Sequence, residues 1–89
     1  MLKHEITIIN KRGLHARAAA KLATLAARFA ASIRAGTHGK MVDSKSVMSL
    51  MLLAATQGTQ LQLELEGEDE SEALAAICEL INDMFGEGE

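Results

Sequence analysis

Tryptophan, tyrosine and proline are absent from this 89-residue sequence, cysteine occurs once and phenylalanine twice. Without stacking aromatics, and with a formal net charge of −3, the chain lacks the basic patches and base-stacking platforms that nucleic-acid binding uses. Nucleic acid is therefore not an expected partner. A lone Cys78 cannot close an internal disulfide and has no second cysteine at metal-ligand spacing, which fits a reducing compartment and predicts no metal site. No apolar run approaches bilayer length, and Met1-Leu2-Lys3-His4-Glu5 lacks the apolar stretch of a signal peptide. A cytoplasmic protein without membrane insertion is the expectation.

What the chain does have is a 48% hydrophobic, 24% charged composition without low-complexity tracts, the profile of an ordered globular chain. Its length suits one domain spanning residues 1–89, with a single core. Glu5-Ile6-Thr7-Ile8 alternates polar and apolar residues at the period of a half-buried strand. From Ala16 to Ala31 the alanine-rich stretch predicts a helix, with Ala19, Leu22, Ala23, Ala26 and Phe29 on its apolar face and Lys21, Thr24 and Arg28 opposite. Ser32–Ala35 and Lys40–Asp43 read as two strands joined by the Gly36-Thr37-His38-Gly39 turn, whose glycines would supply positive φ angles.

The apolar run from Val47 to Ala55 contains Met, Leu and Ala more than β-branched residues, predicting a short helix after Ser46, with Leu50 and Leu53 in the core and Gly58 as its end. Thr59–Glu66, with Leu61, Leu63 and Leu65 alternating against polar residues, is the plainest strand. Asp69, three residues before Glu72, suggests a capping box for a third helix in which Leu74, Ile77, Cys78, Ile81, Met84 and Phe85 face inward. Acidic residues from Glu64 to Glu72 read as solvated surface, and Glu87-Gly88-Glu89 as a frayed tail. The element order, βαββαβα, predicts an α+β fold of two layers, an antiparallel sheet covered on one side.

The chemistry concentrates at Gly13-Leu14-His15-Ala16-Arg17. A helix entrance leaves backbone N–H groups without internal partners and presents partial positive charge, a setting that binds phosphate. His15 stands there as a nucleophile, the N–H groups of Ala16 and Arg17 could receive phosphate oxygens, and the Arg17 guanidinium adds a forked donor. Gly13 permits a tight turn, and Leu14 can tuck inward while the ring stays outside. A second feature is Ser46, an N-cap type residue before a helix. His4 and His38 lack acidic or cysteine neighbours at ligand spacing and read as solvated surface. Gly36 to Gly39 also spells a GxxG loop of the RNA-binding KH type, but it joins strands and has few basic neighbours.

Gly13-Leu14-His15-Ala16-Arg17 with Ala19-Ala20, together with Lys45-Ser46-Val47-Met48, resembles the HPr family of histidine phosphocarriers of the bacterial phosphoenolpyruvate-dependent phosphotransferase system, over nearly the whole chain. The resemblance implies an HPr-like open-faced β-sandwich, a four-stranded antiparallel sheet of order 1-4-2-3 with three helices on one face. It implies a monomeric phosphoryl carrier, not a stand-alone enzyme, that needs no cofactor or metal. Enzyme I would phosphorylate His15 on Nδ1, Arg17 would stabilise the group, and IIA-type domains would take it away. Ser46 would be a regulatory site for an HPr kinase/phosphorylase, and Ala16, Arg17, Ala20, Val47, Met48 and Met51 would form the partner face. Two positions depart from the family: Ala18 stands where proline is usual, which predicts a less rigid helix entrance, and Ser49 where glycine is frequent. A nitrogen-related NPr-type carrier shares the same motifs. A regulatory binding module using the Met48–Met51 face without chemistry at His15 is the alternative of a different class.

Overall fold

A computed structural model describes residues 1–87. Four strands, β1 (Leu2–Thr7), β2 (Ser32–Thr37), β3 (Lys40–Asp43) and β4 (Gln60–Glu66), form one antiparallel sheet of order β1-β4-β2-β3. The alternation expected of β4 sets the register: Leu61, Leu63 and Leu65 are buried while Gln60, Gln62 and Glu66 are exposed. Placed centrally, β4 pairs Leu65 with Leu2 on one side and with Ile33 on the other. Helices α1 (Ala16–Ala26), α2 (Val47–Leu52) and α3 (Glu70–Asn82) supply the other layer of the core. Fully buried Ala18, Ala19 and Ala26 in α1 let that backbone approach its neighbours closely, with Leu22 filling the interior.

Several boundaries depart from the local pattern, each for a tertiary reason. The alanine-rich stretch does not stay helical to Ala31: α1 ends at Ala26, and Phe29 lies beyond it, half-buried. There the Asp69 carboxylate accepts hydrogen bonds from the N–H groups of Ala30 and Ala31, both at 2.8 Å, and Lys45 Nζ donates to Phe29 O at 2.8 Å. Those bonds compete with continued helix. Asp69 is accordingly no capping box: its side chain makes no cap bond to α3, and Glu70 instead accepts from Gly67 N–H. The Ala30 N–H, the largest influence, holds the Asp69 carboxyl below the usual carboxylate range, with the Ala31 N–H and Lys45 acting in the same direction against partial desolvation. In the hairpin the positive φ angles fall on His38 and Gly39, whereas Gly36 lies within β2.

Helix α2 is shorter than the apolar run from which it is built. Ala54 adopts φ +51°, and Ala55 O accepts from Leu14 N–H at 2.8 Å, so the chain leaves the helix to pin the His15 loop. Leu50 and Leu53 are buried as expected, but Leu52 is exposed. Ser46 Oγ accepts from Ser49 N–H at 3.3 Å, an N-cap as expected.

After α3 the chain enters a 3-10 turn, Met84–Gly86, with φ +54° at Met84 and +53° at Phe85. Left-handed backbone at non-glycine residues costs roughly 1–2 kcal/mol each. Complete burial of the Phe85 ring offsets it. Phe85→Ala is expected to lower unfolding stability by about 3–5 kcal/mol, measurable by urea denaturation followed by circular dichroism. A loss under about 1 kcal/mol would mean that the ring contributes little to the core.

Candidate functional site

The loop before α1 is built by its own backbone and by the α2–β4 connection. Gly13 N–H donates to Asn10 O at 3.1 Å, and the buried Asn10 side chain returns a bond from Nδ2 to Gly13 O at 2.7 Å. Gly13 has φ +67°, and a Cβ there would lie 2.5 Å from Ala55 O and 2.9 Å from Thr56 Cα. Only glycine allows that close approach. Leu14 is buried, as the sequence suggested, and holds the loop inward. These contacts fix the helix entrance without a proline at position 18, where the Ala18 side chain is fully buried.

His15 is the N-cap residue of α1, in extended conformation (φ −80°, ψ −179°), and its side chain makes no cap bond. The N–H groups of Ala16, Arg17 and Ala18 occupy the first turn, where the helix itself has no acceptor for them. Ala16 and Arg17 are exposed, while His15 is half-buried. His15 and the first-turn N–H groups of α1 thus stand at the same helix start. Arg17 lines a small hollow of about 220 Å³ with Arg12, Lys21, Gly86 and Glu87.

Three of these residues escaped the sequence reading. Lys21 lies four residues after Arg17 on the same face of α1, so their proximity was available from helical spacing, whereas Arg12 lies in the turn before the helix and is brought there by the loop. Lys21 Nζ donates to Phe85 O at 2.6 Å, fastening the C-terminal turn over α1. Glu87 carried no local signal. Rather than fraying, its carboxylate meets His15 Nε2 through Oε2 and accepts from Asn10 Nδ2 through Oε1 at 3.1 Å. Desolvation works to raise the Glu87 carboxyl, but the hydrogen bonds from His15 and Asn10, with the nearby Arg12 charge, hold it below the usual range. Gly88 and Glu89, the rest of the expected tail, lie outside the described residues.

Of the expected partner face, Met48 and Met51 are exposed, Ala20 and Val47 half-buried, and Val47 packs against the core. Leu52, not anticipated, adds to the exposed apolar surface of α2 at 69% exposure. Helix α2 packs on α1, so His15 and Ser46 sit at the N-termini of neighbouring helices. His4 and His38 are exposed, as expected. Cys78 is half-buried against the core, and burial pushes its thiol up. Among the described residues there is no grouping of His, Cys, Asp and Glu able to hold a metal ion, and no helix long and apolar enough to cross a membrane.

The family model described as "PTS HPr component phosphorylation site" matches residues 2–83. The chain is 57% identical over 86 residues to the phosphocarrier protein HPr of Pseudomonas aeruginosa, covering 96% of each. It is 51% identical to that of Cupriavidus necator over the full length of both, and 43% identical to the phosphocarrier protein NPr of Shewanella violacea, covering 97% of this chain and 94% of that one. Its fold superposes on the crystal structure of HPr from Thermoanaerobacter tengcongensis with a TM-score of 0.93 at 42% identity, covering 98% of each chain. A histidine on an open helix entrance, a 1-4-2-3 sheet and this likeness along the whole chain place the protein in the HPr family, the phosphocarriers of the phosphotransferase system.

Proposed function

We propose that His15 is the residue that carries the phosphoryl group, received from phosphorylated Enzyme I and passed to IIA-type domains. The observation that supports this most is its position as the N-cap of α1, whose first-turn N–H groups have no helical acceptor, with its hydrogen-bond partner Glu87 lining the hollow formed by Arg12, Arg17 and Lys21. Phosphate oxygens there meet free donors and positive charge, while the ring provides the nucleophile. HPr-named relatives at 57% and 51% identity, against 43% for the NPr protein, favour the sugar branch over the nitrogen branch. The test is transfer of labelled phosphate from phosphoenolpyruvate through purified Enzyme I, with the label mapped by mass spectrometry. Label on any residue other than His15 would sink the assignment.

Arg17 stabilises the transferred group in this reading. Its removal takes away a charged hydrogen-bond donor worth about 1.5–3 kcal/mol, so Arg17→Ala is expected to slow transfer roughly 10- to 150-fold. Arg17→Lys, which keeps the charge but loses the fork, should recover only part of it. Equal rates in wild type and both variants, measured by rapid quench, would remove Arg17 from the mechanism.

Ser46 is proposed as the regulatory site. Its hydroxyl caps α2, and phosphorylation by an HPr kinase/phosphorylase would place about −1.5 to −2 charge there. A helix N-terminus tolerates that charge, whereas an approaching acidic partner surface does not. The exposed Met48 and Met51 beside it, with Ala16, Arg17, Ala20 and Val47, make an adaptable docking face. Incubation with a cognate kinase and ATP should yield phosphoserine at 46; a chain that stays unmodified there contradicts the regulatory role.

A further inference from the structure

Glu87 is joined to the proposed acceptor from 72 positions away in the chain. Its carboxylate has two occupants, His15 Nε2 on one oxygen and Asn10 Nδ2 on the other. Asn10 is fully buried and is itself tied to the loop through Gly13. The Glu87 segment is fastened to α1 by the Lys21–Phe85 bond and anchored by the buried Phe85 ring. Such a construction holds one oxygen of a carboxylate on one nitrogen of one ring.

An ionised carboxylate has no hydrogen to donate, so Nε2 must donate and carry the proton. That leaves Nδ1, which has no hydrogen-bond partner among the described residues, as the nitrogen with a free lone pair. We propose that Glu87 is a positioning residue for phosphoryl transfer, holding the proton on His15 Nε2 so that Nδ1 attacks, and balancing the positive charge that the phosphorylated ring acquires. The inference rests on His15 being the acceptor.

The step conserves atoms and charge. The Nδ1 lone pair forms the N–P bond as the bond from phosphorus to the donor breaks, its electron pair departing on the donor. No proton moves: Nε2 keeps its hydrogen, the ring becomes cationic, and the carboxylate faces that cation through the same hydrogen bond. In the onward step the N–P bond breaks and the ring leaves as neutral imidazole, a far better leaving group than the imidazolide that an unprotonated ring would become. The charge balance therefore favours loading, while the proton held on Nε2 lets the ring leave as neutral imidazole in the onward step.

The test uses the full chain loaded from phosphoenolpyruvate with Enzyme I, then separated from it. Glu87→Gln keeps a carbonyl oxygen able to accept from Nε2–H but removes the charge, and Glu87→Ala removes both. The isolated phosphoprotein should lose phosphate about fivefold faster in Glu87→Gln, and faster still in Glu87→Ala, because a charge-assisted bond, about twice as strong as a neutral one, holds the phosphorylated cation more firmly than the neutral ring left after loss. The 15N spectrum of the phosphorylated wild type should show a protonated Nε2, weakened or exchange-broadened in both variants. Equal phosphate lifetimes and equal Nε2 signals in all three proteins would overturn the proposal. Slower loading from Enzyme I with an unchanged lifetime also counts against it, since Glu87 would then act on the partner and not on the ring. If the wild type takes no phosphate on His15, the acceptor assignment itself fails, an outcome distinct from both.

Discussion

His15→Ala is expected to abolish phosphoryl acceptance completely while leaving the fold in place. No other nucleophile shares its position. His4 and His38 lie on exposed surface away from the helix entrance, His4 in β1 and His38 in the β2–β3 turn, and Ser46 belongs to the start of a different helix. Proximity can account for many orders of magnitude in rate, so a group elsewhere on the surface cannot substitute. The stability cost should be about 1.5–3 kcal/mol, because the side chain makes one hydrogen bond to the Glu87 carboxylate, with the two side chains only 17% and 10% exposed. The Glu87 carboxylate keeps its bond from Asn10 in the variant. Labelled phosphoenolpyruvate with Enzyme I gives the readout, with acid-labile label in wild type and none above background in the variant. Thermal unfolding of the unphosphorylated proteins checks the second half. Residual acid-labile label in His15→Ala would place the carrier residue elsewhere.

Gly13→Ala should have the largest structural effect at the site. A methyl group there meets the penalty of left-handed backbone at φ +67° and a contact of 2.5 Å with Ala55 O, a backbone atom that cannot move aside cheaply. Together these amount to about 2–5 kcal/mol, which for a domain of this size lowers the melting temperature by roughly 10 °C or more. Ala55 O is also the acceptor for Leu14 N–H. Any relief of the clash therefore lifts the loop and carries His15 with it, and a displacement near 1 Å can cost about 100-fold in transfer. Gly39→Ala is the control. Gly39 has φ +82° with open space where a Cβ would stand, so it adds backbone strain alone. Differential scanning calorimetry should show a modest decrease for Gly39→Ala with unchanged transfer, and a large decrease with impaired transfer for Gly13→Ala. Equal losses in both variants would mean that strain, not the Ala55 contact, makes glycine necessary at position 13.

The loop thus owes its shape to three residues that contribute no chemistry. Asn10 ties its start, Gly13 lets it pass under Ala55, and Leu14 anchors it in the core. With alanine in place of proline at position 18, these contacts, which act before the helix begins, are what holds the entrance. Arg12 and Lys21 join Arg17 around the hollow, and the Glu87 carboxylate that also lines it offsets part of their charge.

The sequence by itself determined the element order and the side of the sheet that is buried, because both follow from apolar spacing over a few residues. Leu61, Leu63 and Leu65 could face only one way, and Ser46 had its hydrogen-bond acceptor beside the N–H it caps. The helix entrance at His15 was legible for the same reason: orphan N–H groups are a local property of any helix start. Only the tertiary structure decided where α1 stops, since Asp69 claims the N–H groups of Ala30 and Ala31 from across the fold. It also decided the length of α2, through the acceptor that Ala55 gives to Leu14. Above all it brought Glu87 to His15. A carboxylate near the end of a chain looks solvated in sequence. Its partner is chosen by the packing of Phe85, the reach of Lys21 and the burial of Asn10, all distant in sequence and adjacent only once the core has formed.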